Sequence, residues 1–217
     1  MFWESPYFQE FLTIAVLHFL AVASPGPDFA VVSRYAVRYG AGIGFWVSLG
    51  VGLGILVHVT YSILGLSLII HETPWLYKLL NVAAAGYFLW LAYHLLQSKP
   101  EPVAAQDSAQ PQIPTQTIKR RKALWTGFLT NGLNVKATMF FLALFTSVIA
   151  VTTPTQVKVG YGMYLALATF AWFALLSVLL GRTRLRFWLL KHGYWFDRLM
   201  GLLLGLLGLK FLFELWV

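Results

Sequence analysis

The fold class predicted for this chain is an all-α polytopic membrane protein, and three observations predict it. The 217 residues are 59% hydrophobic and only 11% charged, far from the composition of a soluble domain. Apolar runs of membrane length recur along the chain, as spanning helices of roughly 20 residues require. Two of those runs carry clusters of helix-breaking or polar residues, Ser24-Pro25-Gly26-Pro27-Asp28 and Asn131-Gly132-Leu133-Asn134-Val135-Lys136. Lipid cannot satisfy the peptide groups that such clusters expose, so each must be surrounded by protein or a polar cavity.

Apolar runs read against turn signals predict six spans at about 7–23, 41–70, 76–96, 123–151, 159–180 and 199–216. The first ends in Ala21-Val22-Ala23 but is read as a span and not as a signal peptide. Glu4 and Glu10 lead it without any Lys or Arg, and Pro25 follows at once. The second is rich in glycine, and pairs at four-residue spacing, Gly40/Gly44 and Gly50/Gly54, predict close helix packing. Between the third and fourth spans, Ser98 to Gln116 holds Pro100, Pro102, Pro111 and Pro114 among Ala, Gln and Ser, a composition that reads as a linker. The fourth span carries the second polar cluster, and the sixth carries Gly201/Gly205. Trp3, Trp46, Trp75, Trp125, Trp188, Trp195 and Trp216 fall near span ends, where indoles anchor at the interface.

The predicted organisation is therefore one membrane domain: a three-helix repeat at 1–97, a cytoplasmic linker at 98–122 and a second three-helix repeat at 123–217, each repeat opening with a broken helix. Arg34 and Arg38, the Lys119–Lys122 cluster, and Arg182, Arg184 and Arg186 fall on one side of a six-span chain. The positive-inside rule makes that side cytoplasmic and both termini external. Three spans per half require the halves to be inverted relative to one another, and paired breaks in such repeats point to a transporter's binding site.

The net charge of +8 follows from that loop bias and not from nucleic-acid binding. There is no cysteine and there are only eight acidic residues, and no GxSxG, HExxH, phosphate-binding or dinucleotide motif occurs. The chain is read as no enzyme, without cofactor or metal site.

The candidate substrate-binding residues are Ser24, Pro25, Gly26, Pro27 and Asp28 in the first break and Asn131, Asn134 and Lys136 in the second. Asp28 and Lys136 are charges within broken segments, where each needs a partner or a wet cavity. Two readings stand side by side for each. Asp28 is either a helix N-cap or a functional carboxylate, and Lys136 is either a structural ion-pair or snorkelling residue or a substrate contact. A broken helix presents carbonyls at one lip and amides at the other, which suits a zwitterion. Ala23 and Ser24 would offer carbonyls to an ammonium group, and Asn131, Asn134 and Lys136 would meet a carboxylate. His18, His58 and His94 are lone imidazoles on apolar helices, for which packing is favoured over proton relay.

These residues resemble the lysine exporter (LysE/RhtB) superfamily of bacterial amino-acid exporters. The matching elements are Ser24-Pro25-Gly26-Pro27-Asp28, the glycines at 40, 50, 54 and 65 with His58, and Ala85-Gly86-Tyr87-Phe88-Leu89-Trp90-Leu91. Gly127-Phe128-Leu129-Thr130-Asn131, Asn134-Val135-Lys136 and Asp197-Arg198-Leu199-Met200-Gly201 complete the set. The resemblance implies six helices, the bacterial inner membrane, and export of amino acids or close derivatives in exchange for protons. Val135 stands where the family usually has proline, which predicts a shallower second break with Gly132 supplying the flexibility. The reading is a secondary exporter working by alternating access, with Asp28 as the proton-coupling group. Its partners are an amino acid, protons and the lipid bilayer, and the glycine faces are compatible with a homodimer. A passive channel and a non-transporting scaffold subunit are the alternatives.

Overall fold

The computed structural model describes residues 6–24, 26–72, 74–99, 118–180 and 183–214, and among them every regular element is helical. The order is α1 (Pro6–Ala23), α2 (Pro27–Tyr39), α3 (Ala41–Glu72), α4 (Pro74–Leu96), α5 (Arg120–Gly132), α6 (Val135–Ser147), α7 (Thr155–Leu179) and α8 (Thr183–Glu214). Three of these helices are long and apolar enough to cross a bilayer alone, and α5 with α6, bent by 57° at their junction, brings the number to four if the pair is counted as one span. Most of the predicted linker, like Pro25, lies outside the described residues.

The same pattern recurs in both halves: a helix, a short break, then three further helices. Two of the elements differ from the sequence expectation. α2 lies where no span was predicted, because its 13 residues are amphipathic; it buries Val32 and Ala36 while Arg34 and Arg38 stay exposed. α8 begins 16 residues before the predicted span at 199, since its first turns are basic and invisible to a search for apolar runs.

The bundle is organised around α3, which packs most extensively against α5 and α7, while α4 pairs with α8. Glycine makes the α3–α5 contact possible. A side-chain carbon on Gly50 would run into the carbonyl of Leu124, and one on Gly127 into that of Val47. The two backbones thus touch, as small residues allow where lipid supplies no hydrophobic drive between helices. One apolar cluster gathers Ile14, Leu17, Ile55, Phe88, Phe141 and Phe145 from four helices, and a smaller one joins Val32, Val47, Val51 and Phe173. Gly40 turns the chain sharply between α2 and α3 at φ +90°, a conformation that other residues rarely adopt.

Candidate functional site

The first break is one residue of unwound chain on each side of Pro25. Ser24 still donates its amide to Leu20 (3.1 Å), and α2 then starts afresh with extended Gly26 as N-cap and Pro27 in the first helical position. Proline suits that position because its missing N–H would be unpaired there anyway. Asp28 therefore lies within the first turn and is not the cap, which corrects one of its two sequence readings.

The second break falls on Leu133 and Asn134. Asn134 caps α6, its side-chain oxygen accepting the amides of Lys136 (3.0 Å) and Ala137 (3.4 Å). A proline is thus unnecessary: the cap redirects the chain by 57°. Gly132 is an ordinary helical residue at the end of α5, so the flexibility expected of it is not what makes the break.

The two breaks meet. Ser24, Gly26, Pro27, Asp28, Asn131, Asn134 and Lys136 line one cavity with room for water centres of about 60 Å³, several times what one water requires. Its remaining wall is mainly apolar, with Ile55, Leu91, Phe140, Phe141 and Phe173. Ile55 and Thr169, which also lines it, sit near the midpoints of the apolar stretches Ala41–Gly65 and Thr155–Leu179.

Asp28 is held across the gap. The side-chain amides of Asn131 (3.0 Å) and Asn134 (3.3 Å) both donate to its Oδ2. Its other oxygen, Oδ1, is buried without a hydrogen-bond partner among the described residues, as is Asn131 Oδ1. Lys136 reaches the first break from the other side: Nζ donates to Ser24 Oγ (2.8 Å) and lies 3.9 Å from where a methyl on Gly26 would stand. The asparagine amides expected to meet a substrate carboxylate are thus committed to Asp28.

Two of the lone histidines support this arrangement. The His58 ring bonds through Nε2 to the Asn131 carbonyl (2.9 Å) and through Nδ1 to the Tyr61 hydroxyl (2.7 Å), and it stacks on Phe141. It fixes the end of α5 from behind. His18 pairs with Thr169 (2.8 Å), and both line the cavity. His94 bonds within its own helix, at Trp90 O.

A family model described as LysE type translocator matches residues 19–215. The chain belongs to the LysE type translocator family. It is 31% identical over 201 residues to the threonine efflux protein of Escherichia coli (strain K12), covering 92% of this chain and 95% of that one. Over 199 residues it is 29% identical to the threonine efflux protein of Salmonella typhi, with the same shares covered. Over 144 residues it is 29% identical to the leucine efflux protein of Enterobacter sp. (strain 638), covering 65% and 64%. No solved structure matches the chain.

This LysE type translocator is a membrane transporter and not an enzyme. Sequence reasoning missed one charged group beside its cavity. Asp197, on α8, is buried and accepts the hydroxyls of Ser24 and Ser98, the latter at 2.7 Å. Its signal was present in outline: Asp197 is one of only eight acidic residues, and it opens the apolar part of the last helix.

Proposed function

We propose that the protein exports a neutral amino acid across the bacterial inner membrane, driven by protons entering in exchange. The observation that carries this reading is a cavity between two broken helices with a half-satisfied carboxylate and an ammonium group among its lining residues. Among the described residues Asp28 Oδ1 has no partner, and Lys136 donates to the Ser24 hydroxyl, a neutral acceptor that a carboxylate can replace. A zwitterion supplies the complement of each: its ammonium pairs with Asp28 and its carboxylate with Lys136. Those two charges are then used up, and the substrate side chain meets Ile55, Leu91 and the phenylalanines. That wall suits an aliphatic or hydroxylated side chain, and the threonine and leucine efflux proteins among the relatives agree with it.

In this reading the two halves are inverted three-span repeats that rock about the cavity, opening it alternately to each side. Asp28 is also the coupling group. Ionised, it holds the substrate ammonium; protonated from outside, it releases it. The test is efflux of labelled L-threonine and L-leucine from proteoliposomes with an imposed pH gradient. Asp28→Asn is expected to abolish gradient-driven efflux while the protein still inserts and folds. Efflux by that variant at the wild-type rate overturns the coupling role.

A further inference from the structure

We infer that Asp197 is the resident counter-charge of Lys136, displaced by the carboxylate of each arriving substrate, and this rests on the export reading above. Ser24 has one hydroxyl hydrogen, which it gives to Asp197, and its lone pair accepts from Lys136 Nζ at 2.8 Å. Ammonium, hydroxyl and carboxylate therefore form one directed chain, in which each bond polarises the next. A lysine lining a largely apolar cavity needs such a balance, and its other candidate partner, Asp28, is held instead by two asparagine amides.

Asp197 does not line the cavity, whereas Ser24 and Lys136 do. It therefore acts on the substrate only through them and is a positioning residue. Its second oxygen accepts from Ser98 Oγ at 2.7 Å, and Arg198 Nε donates to the Ser98 carbonyl at 3.2 Å. One polar knot thus ties the end of α1 to α6, α8 and the end of α4, joining the two halves of the chain. A substrate carboxylate that takes over Lys136 weakens the knot at its link to α6. Occupancy of the cavity is in this way transmitted to the contact between halves.

The inference predicts a direction that a merely structural role does not. With Asp197→Asn, Lys136 loses its standing competitor, so purified protein binds L-threonine more tightly, by about fivefold or more. The KM for L-threonine exchange in proteoliposomes falls with it, and the maximal rate falls as release slows. Asp197→Glu returns both toward the wild type, and L-threonine amide, which has no carboxylate, gains nothing from the Asn substitution. Should Asp197→Asn fail to accumulate, Ser24→Ala breaks the same chain at the hydroxyl and is expected to tighten binding likewise. Unchanged or weakened L-threonine affinity in a folded variant overturns the inference while leaving export intact. Wild-type protein that neither binds nor moves L-threonine or L-leucine sinks both.

Discussion

Asn134 does two jobs with one side chain, and substitution separates them. Its oxygen caps α6 and its nitrogen reaches Asp28. Serine is as good an N-cap as asparagine but has no amide to extend toward the carboxylate. Asn134→Ser is therefore expected to melt close to the wild type while its KM for L-threonine rises severalfold. Asn134→Ala loses the cap as well and is destabilised by about 1 kcal/mol. Thermal unfolding in detergent, run beside transport, distinguishes them; equal destabilisation by both substitutions refutes the division of labour. Asn131 has a parallel arrangement, with its amide on Asp28 and its backbone carbonyl held by His58. Asn131→Ala removes the first and spares the second.

Among the elements, the α3–α5 contact sets the position of Asn131 and hence of Asp28. A side-chain carbon on Gly54 would stand 2.7 Å from Asn131 Oδ1, whereas one on Gly65, in the same helix, would meet nothing within 4 Å. Gly54→Ala is accordingly expected to cut L-threonine efflux at least tenfold by pushing Asn131 off Asp28. Gly65→Ala is expected to leave efflux unchanged and to stabilise α3 by about 0.5–1 kcal/mol, the helical preference for alanine. Comparable flux in the two variants would remove the link between helix approach and site geometry.

The same elements explain what could be read in advance. The bounds predicted at 7–23, 41–70 and 76–96 agree with the helices α1, α3 and α4 to within two residues at each end, because apolar runs closed by turn residues mark where a helix starts and stops. The breaks were equally legible: Pro, Gly and Asn contradict their apolar surroundings, and such local contradictions concentrate at functional sites. α2 escaped because 13 amphipathic residues with two arginines satisfy no spanning criterion. Asp197 escaped for a different reason. Its partner Ser24 is 173 residues away, so the sequence showed Asp197 as one element of the resemblance but not the pairing that gives it a role.

At the scale of the whole molecule, α1 is tied at both ends, and the ties define two faces. Near its start, Glu10 accepts the Ala150 amide and the hydroxyls of Thr153 and Tyr161, at 2.9 to 3.2 Å, binding α1 to the α6–α7 turn and to α7. Fourteen residues on, a rise of about 21 Å in a helix, Ser24 joins the knot with Asp197 and Ser98. The start of α1 and the α6–α7 turn thus share one face, while the ends of α1 and α4 share the other. Arg120, at the start of α5, lies over Trp46 near the start of α3 at 6.0 Å, so these two helices also begin together. The Lys119–Lys122 cluster closes the linker that Ser98 opens, and by the positive-inside rule we propose that this face is the cytoplasmic one. Because the chain has no cysteine, the orientation can be read with single introduced thiols and no background. Thr152→Cys, exposed in the α6–α7 turn, is expected to react with a membrane-impermeant maleimide in intact spheroplasts. Ser108→Cys, in the linker, is expected to react only after permeabilisation. The reverse pattern would place the basic face outside, and with it the proposed direction of proton entry to Asp28 would have to be inverted.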